Sequence, residues 1–173
     1  VFKVKIDDVK RKIDVEIRRV GGITEREAKA SLEVFVRFPQ RYLKEIELSG
    51  HPGTLELRDL RAERVEFSGK AARVLLNGVS GHVELNSNED LEIYCGSLDG
   101  RLDINQVSSA SRLFLPAETP FFAVARGIAN HICYEKDGGP VEDFSRKDEE
   151  AGPCDNVIEL NGMKSELIIS AVT

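Results

Sequence analysis

The chain has 173 residues and a mass of 19.2 kDa, which suits one domain and is tight for two. Hydrophobic residues at 41% and charged residues at 31% describe a globular protein and exclude a collagenous or disordered one. A net charge of −6 argues against a nucleic-acid backbone as partner, and the lack of a long apolar run argues against a membrane span.

Phe2/Val4/Ile6, Ile13/Val15/Ile17 and Leu32/Val34/Val36/Phe38 alternate apolar with polar, so residues 1–42 are expected to hold three strands. Asp7-Asp8 and Lys10-Arg11 separate the first two. Thr24 and Glu27 have capping-box spacing and allow one or two helical turns before the third. No signal-peptide pattern is visible, and a start at Val1 and not Met leaves room for an address or an anchor upstream.

From residue 43 onward the sequence repeats. Ile46-Glu47-Leu48-Ser49-Gly50, Val65-Glu66-Phe67-Ser68-Gly69, Val83-Glu84-Leu85-Asn86-Ser87 and Leu102-Asp103-Ile104-Asn105-Gln106 start 19, 18 and 19 residues apart. A fifth copy is Ile158-Glu159-Leu160-Asn161-Gly162. Each is followed by a second short alternating segment: Leu55-Glu56-Leu57, Val74-Leu75-Leu76, Leu91-Glu92-Ile93, Leu113-Phe114-Leu115 and Leu167-Ile168-Ile169. Turn formers such as Pro52-Gly53, Asn77-Gly78 and Asp99-Gly100 stand between them.

A repeat this short cannot bury its own apolar face, whereas stacking successive repeats about 4.8 Å apart does. An antiparallel meander also has closely spaced strands but has no reason to restart the same phrase at every second strand. The expected fold is therefore all-β: a single-stranded β-solenoid of about six coils of roughly 19 residues. Residues 1–42 would cover its open end, because an uncovered end exposes strand edges and core side chains. Coils would fill residues 43–134, with Phe122-Ala123-Val124-Ala125 and Ile132-Cys133-Tyr134 as a weaker fifth. Residues 135–156, with eight acidic and three basic residues, read as a polar loop insertion, and 157–173 as the final coil.

Stacking turns equivalent positions into columns. Glu47, Glu66, Glu84 and Asp103 should line one outer face, and Glu45, Arg64, His82 and Arg101 stand two residues earlier on the same side. Like charges about 5 Å apart repel unless cations intervene, and Arg64, His82 and Arg101 supply them. The structural reading is a salt-bridged, soluble face. The functional one is a weak candidate binding face made of Glu47, Arg64, Glu66, His82, Glu84, Arg101 and Asp103, for a sugar, a cation or a basic partner. Glycosidases need two carboxylates held apart in a cleft, and a regular column of acids does not supply that asymmetry, so an enzyme is not expected.

His51, His82 and His131 fall in different columns, so a three-histidine metal site is not expected. The acidic loop lacks EF-hand spacing, and no phosphate loop, dinucleotide fingerprint or nucleophile elbow occurs. No cofactor or catalytic residue is assigned. Cys95, Cys133 and Cys154 have no CxxC pair, and a Cys133–Cys154 bridge and idle thiols stay open as alternatives.

The repeated phrase of apolar, acid, apolar, Ser or Asn, then Gly resembles a bacterial β-strand-repeat family of adhesin-like domains, a domain of unknown function. Residues 156–167 are similar to the close of its Gram-positive members, and the resemblance covers residues 31–172. It implies a right-handed, single-stranded β-helix and brings no catalytic residues. The expectation is a non-enzymatic binding or scaffolding module of the cell envelope with a protein or glycan partner. The alternatives are a carbohydrate-active β-helix enzyme using the charged face and an intracellular protein-interaction domain.

Overall fold

A computed structural model describes residues 2–7, 12–17, 34–37, 43–136, 138–140, 142–143 and 155–172, and every regular element among them is a strand. Strands β1 (Phe2–Asp7) and β2 (Lys12–Ile17) form an antiparallel hairpin with Val4 opposite Val15. The third alternating segment departs from expectation. Residues 34–37 belong to no strand, and Val34, Phe35 and Val36 are exposed. Alternation makes a strand only where a partner edge and a face to bury are both at hand. The Thr24–Glu27 capping box lies outside the described residues, as does most of the expected cover.

The repeats supply the rest: β3 (Leu43–Gly50), β4 (Thr54–Gly69), β5 (Arg73–Asn86), β6 (Glu92–Cys95), β7 (Asp99–Val107), β8 (Ala110–Pro116), β9 (Phe122–Ile128), β10 (His131–Lys136), β11 (Glu142–Asp143), β12 (Val157–Met163) and β13 (Glu166–Val172). β4 and β5 are long because each runs through a corner, joining the second strand of one repeat to the first of the next. Since β5 carries both sides, a single sheet wraps the core. β6, β8, β13 and β10 extend it one way, and β7, β12 and β9 the other.

Pairing in this sheet is parallel and in repeat register: Ile46 lies beside Val65, Val65 beside Val83, and Val83 beside Leu102. The meander is thereby excluded. Among the described residues the sheet's one antiparallel contact is β10 with β11, where Cys133 faces Asp143. The acidic insertion therefore contributes a short strand and is not loop throughout.

Leu48, Phe67, Leu85 and Ile104 form one inward column, continued by Leu160. Leu55, Val74, Ile93 and Leu113 form a second, continued by Ile169. Leu85, Ile93, Leu102, Ile104, Leu113 and Leu160 are fully excluded from water. Each such side chain stabilises by about 1.5–3 kcal/mol, and none could be buried without the repeats above and below it.

The stacking order is not the sequence order. β12 pairs with β7 on one edge and β9 on the other, and β13 pairs with β8 and β10. The segment that comes last in sequence is slotted between two earlier layers, leaving β9–β10 as the outermost full layer, edged by the short β11. Composition explains the arrangement. β12 carries the full repeat phrase with Ile158 and Leu160 buried, so it needs neighbours on both edges. In β9 the matching positions are Ala123 and Ala125, and its last three residues are exposed, which suits an end.

Candidate functional site on the charged face

Parallel in-register pairing builds the face directly from the sequence. Glu47, Glu66, Glu84 and Asp103 are successive neighbours, and Glu159 joins beyond Asp103. The preceding outward position holds Glu45, Arg64, His82 and Arg101 in the same register. The following one holds Ser49, Ser68, Asn86, Asn105 and Asn161. All seven predicted residues are thus brought to one face.

They are not equally exposed. Glu47 lies open, while side-chain exposure falls from 24% at Glu66 and 18% at Glu84 to 9% at Asp103 and 6% at Glu159. The column was expected to be an outer one throughout, yet its far end is buried. The flanking side chains close over it as the stack proceeds.

Cations interleave with the acids. The Arg64 guanidinium reaches Glu45 at 3.0 Å and both Glu66 and Glu84 at 2.8 Å. Arg101 holds Asp103 at 2.7 Å and Glu159 at 2.8 Å. His82 Nε2 stands 2.9 Å from Asp103, and Arg126 of β9 reaches Glu159 at 3.0 Å. Hydrogen bonds to Glu84 and Glu45 raise the Arg64 pKa, and the bond to Asp103 raises that of Arg101, so both stay charged at any working pH.

An amide ladder stitches the other side. Asn161 Nδ2 donates to Asn105 Oδ1 at 2.9 Å, and Asn105 Nδ2 donates to Asn86 Oδ1 at 2.6 Å and Glu84 at 3.0 Å. Asn86 Nδ2 donates to Glu66 at 2.9 Å. Among the described residues no buried side-chain nitrogen or oxygen lacks a partner.

Glu159, Arg126 and the Asn ladder extend this face beyond the residues read from sequence. The fifth copy of the phrase flagged Glu159, but its neighbours depend on the layer order, which linear spacing does not reveal. Arg126 occupies the Asn position of an outer layer that lacks the acid. Sequence gave it no signal.

Other candidate groups are dispersed. His51 and His131 are exposed and far in register from His82, and no cluster of three metal-ligating side chains occurs among the described residues. An open hollow of about 580 Å³ lies at the corner by Ser108, Lys164 and His131. On the face of the second strands, Tyr94 and Phe114 stack at 4.6 Å and 13°, with Arg73 over one ring and Arg112 over the other.

Cys95 and Cys133 are free thiols, and Cys154 lies outside the described residues. Burial pushes Cys95 up to about 11 from an ordinary 9.0, against a backbone hydrogen bond at Ser97 that lowers it. Burial, Glu166 and Asp143 also raise Cys133. Neither is poised as a nucleophile. The raised Cys95 pKa gives a pH signature. Below pH 9 the thiol is protonated whether the chain is folded or not, so its contribution is intact. Between about pH 9 and 11 the unfolded chain ionises first, and stability on the order of 2 kcal/mol is lost. Denaturant midpoints of wild type and Cys95→Ala should therefore converge across that range.

Compared with known proteins, the chain matches no family model, no curated protein and no solved structure.

Proposed function

We propose that the domain is a non-enzymatic binding or scaffolding module of the bacterial cell envelope, of the adhesin-like kind its repeat phrase resembles. In this reading it is a right-handed, single-stranded β-helix of about six coils. The observation that supports a binding surface is the charged face itself. It is a continuous, cross-linked array of carboxylates, guanidinium groups and amides, held rigid by the parallel ladder beneath. Rigid side chains lose little entropy when a partner docks. A protein or glycan partner would meet the exposed end at Glu47 and the half-buried Glu66 and Glu84, where carboxylate remains accessible.

The test is a glycan array run beside a hydrolysis screen, with wild type and Glu66→Gln/Glu84→Gln. Gln preserves the acceptors for Asn86 and Asn105, and Arg64 keeps Glu45, so stability should move by about 1 kcal/mol or less. Binding without turnover, lost in the double variant, is the expected result. Release of sugar by wild type alone would replace this reading with a carbohydrate-active enzyme.

A further inference from the structure

We infer that the slot filled by β12–β13 accepts the same segment from a second copy of the chain, giving a reciprocally exchanged dimer. The inference is independent of the binding reading above and rests on the layer order. β12–β13 lies between β9–β10, the layer that precedes it in sequence, and β7–β8, a layer that does not. The connection from β8 to β9, residues 117–121, therefore climbs past a layer that it does not supply. Asn156 closes the slot on that side. Its side chain accepts from Gly100 N at 3.1 Å and donates to the Pro120 carbonyl at 3.0 Å, and its own carbonyl accepts from Phe122 N at 2.9 Å. To enter, residues 156–172 must part the β7–β8 and β9–β10 layers, and the 117–121 link is the hinge on which they part.

Two further features favour exchange. The contacts are self-contained: each edge of β12–β13 meets strand edges from residues 99–136, so the same bonds form whichever chain donates the segment. The tether is also far longer than the stack requires. Residues 96–98 and 117–121 suffice between other layers, whereas residues 137–155 separate β10 from Asn156. With identical contacts, the balance between closed and exchanged forms is set by the tether. A linker of this order of length holds the segment at an effective concentration on the order of millimolar, so exchange competes as protein concentration approaches that value. Deleting residues 138–152 leaves four linking residues. These must step back a layer on the side already used by 117–121, and the closed form is then the disfavoured one.

The experiment uses full chains whose own cysteines are replaced by Ala. Val107, Met163 and Ile128 are neighbours in consecutive layers and all are exposed, so each tolerates a cysteine. Val107→Cys/Met163→Cys in one chain should oxidise to a cross-linked monomer. A Val107→Cys chain and a Met163→Cys chain, unfolded together and refolded near 1 mM, should give a covalent heterodimer. Its yield should be at least tenfold above that from Val107→Cys mixed with Ile128→Cys, which stay a layer apart and beyond disulfide reach. The 138–152 deletion should bring that heterodimer to micromolar protein. Asn105→Cys and Asn161→Cys, also in register, repeat the readout at a second position. The inference is overturned if the single chain cross-links but mixed chains never exceed the control, with either tether. It is equally overturned if Val107→Cys/Ile128→Cys cross-links within one chain, since the layers would then follow sequence order.

Discussion

Replacing Arg101 by Met should destabilise the domain by about 3–4 kcal/mol at neutral pH, although Arg101 itself is only half covered. The cost falls on the acids it holds. Asp103 and Glu159 are adjacent in register with side chains 9% and 6% exposed. Without the guanidinium between them, two nearly dry carboxylates repel, supported only by His82 on one and Arg126 on the other. Removing one partner of a buried ion pair commonly costs about this much, because the remaining charge is left without compensation. Adding Glu159→Gln to Arg101→Met should recover much of the loss. Urea midpoints at pH 7 for the three proteins decide the matter, and a loss below 1 kcal/mol would mean that water reaches this end of the face.

Gly162→Val should be worse, leaving no cooperatively folded protein at 37 °C. Gly162 has φ +126°, where side chains are strained, and a Cβ there would stand 1.9 Å from the Gln106 carbonyl oxygen. That oxygen belongs to β7, the layer beneath, so relief requires the inserted segment to lift away from its neighbour. Gln106 is also a pivot of the corner. It is 2% exposed, accepts from Ser111 Oγ at 2.7 Å and donates to the carbonyls of Ser109 and Glu166. Gly81, with φ +107° and a virtual Cβ 1.8 Å from the Ala62 carbonyl oxygen, should be similarly intolerant. Gly53 has nothing within 4 Å of its Cβ, and Gly53→Ala should leave the thermal midpoint within a degree or two. Circular dichroism melts of these variants separate the close-approach glycines from ordinary turn glycines.

The two results bear on one physical feature, the close approach of equivalent backbone in adjacent layers. At the acid column that approach forces cations between the carboxylates. At the glycine corners it leaves no room for a methyl group.

Much of this architecture was legible in the chain. The restart of an apolar-acid-apolar phrase every 18 or 19 residues led to parallel, in-register stacking, and hence to the acid column and the inward column through Leu48, Phe67, Leu85 and Ile104. A periodic pattern carries that information because each residue meets its own equivalent, so knowing one layer defines the contacts of the next. The same logic could not say which layers are neighbours. Repeats that share a phrase are interchangeable as far as pattern goes. The choice of β7 and β9 as partners for β12 follows from competition for a fully enclosed position, won by Ile158, Glu159 and Leu160 over Ala123, Val124 and Ala125. That is a difference in buried area and ion pairing, settled only in the assembled stack. For the same reason Glu159 ended as a buried acid between Arg101 and Arg126, and Val34 and Val36, with equally good alternation, remained exposed outside any strand. The sequence alone determined the period, the facing of each side chain and the chemistry of the columns; the order of the layers, and with it the burial of each charge, was decided by tertiary packing.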